Sequence, residues 1–222
     1  SPAERSASDL RRAGRSPATP FAVALPDGSF VRVDRLLRVL PGKRIVGDGD
    51  WNGRHVLVKL FVASGSARHW TQEKRGIDAL NEAGVPTPAL LCAVALDGGG
   101  HVLITTFIEN ALSLAEAWTS QAVLPAGERA ALSVLIPAFR ALGRLHAAGL
   151  VQDDLHLGNF LRCGDDVFVI DGDAVRAISP GQPLDERAGV ANLAVLFAQL
   201  PMAWDACRQP LIDAYVAGGG QR

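Results

Sequence analysis

From Phe21 to Phe107 the apolar residues come mostly in short strand-like runs, whereas beyond Ile108 they recur mainly at helical spacing. Phe21 to Leu25 and Ser29 to Val33, joined at Pro26-Asp27-Gly28, read as a hairpin. Leu36 to Leu40, Arg44 to Val46 and Arg54 to Phe61 continue as strands. Ser66 to Gly84 is a helical pattern in which Glu73, Ile77 and Leu80 share one face, and Gly84, Pro86 and Pro88 end it. Leu90 to Leu96 and His101 to Phe107, around Asp97-Gly98-Gly99-Gly100, form a further hairpin.

In the second half, Ser113 caps a short helix through Trp118. Ala126 to Ala148 forms a longer helix, kinked by Pro137 and ended by Gly149. A hairpin of Phe160 to Arg162 and Val167 to Ile170 follows, then helices from about Asp185 to Leu200 and Ala203 to Ala217. No internal repeat is present. The expected fold class is α+β, with a small antiparallel sheet lobe over residues 20–108 and a mainly helical lobe over 109–222, meeting near Ile108-Glu109-Asn110. Residues 1–19, rich in Ser, Pro, Ala and Arg, read as a disordered basic tail. An alternative role for it is a basic arm on anionic lipid or phosphorylated glycolipid.

Composition narrows the classes. The chain has 222 residues, 48% of them hydrophobic, and a net charge of -1, so no overall basicity points to nucleic acid. No apolar run reaches the roughly 18 residues that span a bilayer. The chain opens at Ser1 with no secretory apolar segment behind it. Cys92, Cys163 and Cys207 are odd in number and widely spaced, so a disulfide framework or zinc site is not expected, and a reducing cytoplasm fits. His55, His69, His101 and His146 lack metal-ligand spacing. Trp51, Trp70, Trp118 and Trp204 are too scattered for an aromatic track and are assigned to packing.

The candidate chemistry lies in Gln152-Asp153-Asp154-Leu155-His156-Leu157-Gly158-Asn159 and in Asp171, which ends the run Val167-Phe168-Val169-Ile170. A carboxylate, an amide five residues later and a second carboxylate at a strand end supply hard oxygen ligands and one base, the set that kinase-fold enzymes use for phosphoryl transfer. Upstream, Lys59 sits inside the strand Arg54 to Phe61, whose interior does not tolerate an unpaired ammonium. The chain has only three lysines against 19 arginines, which marks Lys59 as a chosen point charge. Glu73, on the apolar face of the following helix, offers the counter-charge.

With these residues in this order the chain resembles the protein-kinase-like superfamily. Within it, Leu37 to Arg44, Val56 to Phe61 and Gly84-Val85-Pro86-Thr87-Pro88 look like the lipopolysaccharide core kinases, which phosphorylate heptose or Kdo sugars. The resemblance spans about Phe21 to Leu200. It implies a two-lobed kinase-like fold, ATP as donor, Mg²⁺ as cofactor and a glycolipid or sugar acceptor at the cytoplasmic face of the inner membrane, where the protein sits peripherally with no obligate protein partner. In residue terms it implies that Asp154 aligns the acceptor hydroxyl, Lys59 and Glu73 position the phosphates, and Asn159 and Asp171 bind the metal. Gly42, Lys43, Thr106 and Ile108 complete the nucleotide side. Arg44, next to Lys43, is a further phosphate contact.

Departures from the pattern bear on activity. Gln152 stands where the superfamily has a histidine, and Asp153 adds a charge beside Asp154. Asp171-Gly172-Asp173 lacks the phenylalanine of the usual Asp-Phe-Gly. No GxGxxG covers the first strands, so Pro41-Gly42-Lys43 is the nearest phosphate-covering turn. His156 reads as a hydrogen-bond partner rather than a base. Asp48-Gly49-Asp50-Trp51-Asn52-Gly53 opens like a calcium-binding loop, yet Lys59 occupies the position of the bidentate glutamate, so it reads as a Gly-rich strand connection. Three rivals remain: a pseudokinase or binding module in envelope regulation, a protein kinase, and a glycosyltransferase using Asp171-Gly172-Asp173. The glycosyltransferase requires alternating parallel strands and helices.

Overall fold

A computed structural model describes residues 2–122, 127–200 and 208–222. The chain divides into two units, residues Ser1–Lys74 with Pro88–Phe107 and residues Arg75–Thr87 with Ile108–Arg222.

The first unit is built on β1 (Ala3–Glu4), α1 (Ala7–Arg12), β2 (Phe21–Ala24), β3 (Phe30–Leu40), β4 (Arg44–Trp51), β5 (Arg54–Phe61), the start of α2 (Ala67–Glu82), β6 (Leu90–Leu96) and β7 (Gly100–Thr106). The strands form one sheet in the order β1-β2-β3-β4-β5-β7-β6. Only the β1–β2 pair is parallel; the rest of the sheet is antiparallel. The alternating βα pattern that a glycosyltransferase requires is therefore missing from this unit. Val23, Val31, Val33, Val56, Val58, Leu60 and Ile104 bury one face of the sheet in a continuous core. The two runs expected over residues 29–40 are a single strand, β3, whose pairing with β4 shifts register twice. Residues 48–51, expected as a connection, extend β4. The turn proper is Asn52-Gly53, both with positive φ, which matches the twist of a tight hairpin.

The N-terminal segment differs from the disordered tail that its composition implies. Ser6 caps α1 through a reciprocal capping box with Asp9. Ala7 and Leu10 enter the core of the sheet. The Arg11 guanidinium donates to the carbonyl oxygens of Val62 and Gly99. Two buried apolar side chains and one cap offset the ordering entropy, a balance that bulk composition conceals.

The second unit contains the end of α2, then β8 (Leu112–Ser113), α3 (Leu114–Ala122), α4 (Gly127–Ala147), β9 (Leu150–Gln152), β10 (Phe160–Cys163), β11 (Asp166–Val169), β12 (Val175–Ala177), α5 (Glu186–Phe197) and α6 (Arg208–Ala217). Its core gathers Leu135, Phe139, Leu142 and Leu145 of α4 with Leu155, Leu157, Phe160, Leu196 and Leu211. Leu80 and Val85 belong to this same core, which is why residues 75–87 leave the sheet unit and a single cut near residue 108 does not describe the division. Ser113 forms a capping box with Glu116, and Asp185 caps α5 by accepting from the Ala188 N–H. The part of the expected last helix over residues 203–207, with Trp204 and Cys207, lies outside the described residues.

Two contacts in this unit place the loops that carry the candidate site. Gly76, inside α2, lies against the backbone of Gly172; a Cβ there would stand 1.7 Å from the Gly172 carbonyl oxygen. Deeper in the unit, His146 of α4 is buried between the Tyr215 hydroxyl, 2.8 Å from Nδ1, and the Asn192 side chain, 3.0 Å from Nε2. Burial pushes the His146 ring below the ordinary histidine range, with the Asn192 hydrogen bond acting weakly in the opposite direction.

Gly76→Ala is expected to lower stability by about 1–3 kcal/mol through overpacking, despite a helix-propensity gain of up to about 1 kcal/mol. Thermal and urea unfolding of the variant measure the net effect. For His146, the unfolded chain takes up a proton as the pH falls through about 6.5, while the native ring, with its lowered pKa, resists. Stability from this group is therefore complete above that pH and declines below it until the native pKa is reached. The stability difference between wild type and His146→Gln should shrink between pH 7.5 and 5.5 in urea titrations.

Candidate functional site

In the sheet unit, β5 is central: Lys59 pairs with Val46 of β4 on one side and Leu103 of β7 on the other. Strand alternation turns Val58 and Leu60 into the core and Lys59 to the opposite face. Its side chain is 12% exposed and its Nζ donates to Oε1 of Glu73, whose side chain is 2% exposed. Arg44 NH1 stands 3.9 Å from the other carboxylate oxygen, and the Arg44 guanidinium stacks 4.6 Å over the Phe61 ring. Arg44, expected from the sequence to help contact phosphates, also stands beside Glu73 as a second cation. A buried carboxylate that lost its cations would carry several kcal/mol of uncompensated desolvation.

The β3–β4 turn is closed by the Lys43 N–H on the Leu40 carbonyl, 2.9 Å, with Gly42 at φ +66° and Lys43 exposed. The Lys43 carbonyl in turn accepts from the Val62 N–H, which ties this turn to the end of β5. Thr106 ends β7, and its hydroxyl accepts from the Ala89 N–H at 3.0 Å. Ile108 is half-buried at the start of the second unit. Asp48 accepts both guanidinium N–H groups of Arg35 and lies 3.2 Å from His55 Nε2. Burial raises its pKa, but these hydrogen bonds more than offset that and hold it below the usual carboxylate range. The calcium-loop likeness thus dissolves into a cross-strand ion pair.

In the helical unit, β9 leads into a turn at Asp153-Asp154, and a single 3₁₀ turn over Leu157–Asn159 leads out to β10. Leu155 and Leu157 anchor the segment in the core. Asn159 is buried, and its side-chain N–H donates to the Asp154 carbonyl at 2.7 Å, which leaves Oδ1 as an acceptor. Its backbone carbonyl accepts from the Ile170 N–H at 3.0 Å, so the loop is bonded directly to the residue before Asp171. Asp171 adopts a left-handed conformation, φ 63° and ψ 64°, unusual for a residue with a side chain.

Gln152 is buried below both loops. Its side-chain N–H groups lie 3.3 Å from the Ile170 carbonyl and 3.4 Å from that of Asp171, and its Oε1 is 3.4 Å from the Asp154 N–H. The Asp154 carboxylate is 67% exposed, with His156 Nε2 3.5 Å from Oδ2. His156 Nδ1 accepts from the Gly158 N–H, so the neutral ring carries its proton on Nε2, toward Asp154. Asp153 points elsewhere and is held by both guanidinium N–H donors of Arg176, at 2.7 and 2.9 Å. Its charge is locally matched.

The donor chemistry suits Mg²⁺. Asn159 Oδ1 and the Asp171 carboxylate are hard oxygens on two bonded loops, and a Mg²⁺ ion fills its remaining positions with water and phosphate oxygens. No cluster of three or more His, Cys, Asp or Glu side chains suited to a metal occurs among the described residues. Gly76, Gly172, Asn192 and Arg44 are the site-supporting residues whose roles sequence reading misses. A glycine in the middle of a 16-residue helix was the available signal for Gly76.

No protein-family model matches the chain, and no curated protein matches it. Among solved structures it is similar to WaaP in complex with acyl carrier protein, at 21% identity and a TM-score of 0.61 over 82% of this chain and 78% of that one. The likeness to lipopolysaccharide core kinases carried by the sequence is thus met in three dimensions at the level of the fold, a mixed α+β, kinase-like architecture shared with WaaP.

Proposed function

We propose that the chain is a phosphotransferase that moves the γ-phosphoryl group of ATP to a hydroxyl of a lipopolysaccharide core sugar, heptose or Kdo. The observation that supports this reading most is the buried Lys59–Glu73 pair within a kinase-like fold. An ammonium this enclosed, held by a carboxylate and facing away from the sheet core, has the form of a fixed positive charge for nucleotide phosphates.

In this reading Lys59, oriented by Glu73, neutralises the α and β phosphates. Gly42 and Lys43 cover them, and Thr106 and Ile108 border the nucleoside. Asn159 and Asp171 hold Mg²⁺, which when bound neutralises charge on the phosphate oxygens. Asp154, with its exposed carboxylate, accepts a hydrogen bond from the acceptor hydroxyl and aligns its oxygen. The new bond joins that oxygen to phosphorus as its proton passes to the Asp154 carboxylate, the bond to the β-phosphate oxygen breaks, and ADP leaves. His156 Nε2 faces the Asp154 carboxylate at 3.5 Å.

The acceptor class rests on the resemblance of Leu37 to Arg44 and Gly84 to Pro88 to the core kinases and on the fold shared with WaaP. It implies work at the cytoplasmic face of the inner membrane through peripheral association. No helix among the described residues is long and apolar enough to cross a membrane.

Lys59→Met and Asp171→Ala should each lower phosphate transfer from Mg·ATP by about a hundredfold or more, the scale of one lost preorganised electrostatic contact. Near-normal turnover in either folded variant contradicts the assigned role. For the acceptor, mass spectra of core oligosaccharide from cells with and without the gene should differ by one phosphate. Strong labelling of a generic protein with none on core oligosaccharide would instead favour a protein kinase. Wild-type protein that neither binds nor turns over nucleotide would favour a binding module.

A further inference from the structure

We propose that Arg11 is a positioning residue for the turn Pro41-Gly42-Lys43, and that helix α1 is the strap that carries it there. The effect on ATP rests on the phosphotransferase reading, in which this turn covers the phosphates, while the contacts all lie within the sheet unit.

Three segments meet at the end of the sheet beside α1: the β3–β4 turn, the exit from β5 at Val62, and the β6–β7 turn. Arg11 touches all three. Its Nε donates to the Val62 carbonyl, and its Nη2 donates to the Gly99 carbonyl at 2.9 Å. Its own backbone carbonyl stands 3.6 Å from the position that a Cβ would take on Gly42. Val62 completes the link, because its N–H donates to the Lys43 carbonyl at 2.9 Å while its carbonyl accepts from Arg11. The Ala63 N–H approaches the same Lys43 carbonyl at 3.4 Å. The turn is thus fastened to a segment that Arg11 holds from the other end.

The docking of α1 and the bonds of Arg11 are separable. A helix of six residues is too short to persist alone in water, so its order comes from the sheet. Ala7 and Leu10, each 1% exposed, supply that docking. Gly100 permits it, since a Cβ there would lie 2.6 Å from the Ala7 Cβ and 3.1 Å from the Phe61 carbonyl. None of this requires a charge at residue 11. What the guanidinium adds is a fork of donors that reaches carbonyls in two different loops, a geometry that an ammonium lacks. Arg12, by contrast, is exposed and bonds to Ser8 and Asp9 within its own segment.

The test compares wild type with Arg11→Ala, Arg11→Gln, Arg11→Lys and, as a control, Arg12→Ala, reading Mg·ATP turnover and amide hydrogen exchange at Val62 and Ala63. Arg11→Ala should raise the KM for ATP about fivefold or more with kcat within about twofold of wild type, the pattern of lost ground-state binding. Exchange at both amides should quicken. Arg11→Gln and Arg11→Lys, each able to reach one carbonyl, should fall between Arg11→Ala and wild type, and they carry the comparison if Arg11→Ala does not fold. Arg12→Ala should match wild type. A purely structural role gives the opposite split, since a smaller folded fraction lowers apparent kcat and leaves KM in place. That split, unchanged KM and exchange in folded Arg11 variants, or an equal rise in KM in Arg12→Ala overturns the proposal. Should the wild type turn over no nucleotide, the phosphotransferase reading fails by itself, and exchange at Val62 and Ala63 decides whether Arg11 holds the turn.

Discussion

A carboxylate buried between a sheet and a helix is stable only beside a cation, and Glu73 is such a carboxylate. Lys59 on the central strand β5 and Arg44 at the start of β4 both approach it. The arrangement constrains more than charge. It fixes which face of β5 turns away from the core, since slipping the register by one residue would send the ammonium among Val56, Val58 and Leu60. It also fixes the rotation of α2 about its own axis, because Glu73 must meet β5. Pairing, register and helix orientation are therefore a single constraint expressed three ways.

The same logic explains which parts of the molecule are legible in the sequence. Lys59 stands out because a strand interior rejects an unpaired ammonium, and Glu73 because the apolar face of a helix rejects an unpaired carboxylate; each anomaly names its own remedy. The hairpins around Pro26-Asp27-Gly28 and Asp97 to Gly100 are readable from turn chemistry. The N-terminal segment is not readable in this way. Its order depends on Leu10 finding the sheet and on Arg11 finding two carbonyls distant in sequence, Val62 and Gly99. Composition averages over such contacts. Residues 75–87 illustrate a related limit, since periodicity identifies a helix but not which core receives each end of it.

Long-range polar contacts are harder still. Asn192 lies on a weakly amphipathic helix, 40 residues from Gln152, and nothing in its neighbourhood marks it as more than a helix surface amide. His146 has no metal-ligand spacing and reads as packing, which it partly is. Their relation emerges only when the unsatisfied hydrogen-bonding groups of a buried segment are traced to their partners. Gly76 shows the reverse case, a residue whose anomaly is visible in the sequence but whose partner, the Gly172 carbonyl, is not.

Gln152 and Gly172 both act on the backbone of one loop. A loop bearing Asp171 in a left-handed conformation needs its carbonyl held and its following residue packed. Here the Gln152 amide reaches two carbonyls and a backbone N–H, and Gly172 packs directly against Gly76. A glycine-to-glycine contact brings backbones closer than any side chain permits. The Asp171 loop is therefore contacted from two sides, by the Gln152 amide and by the backbone of α2 at Gly76.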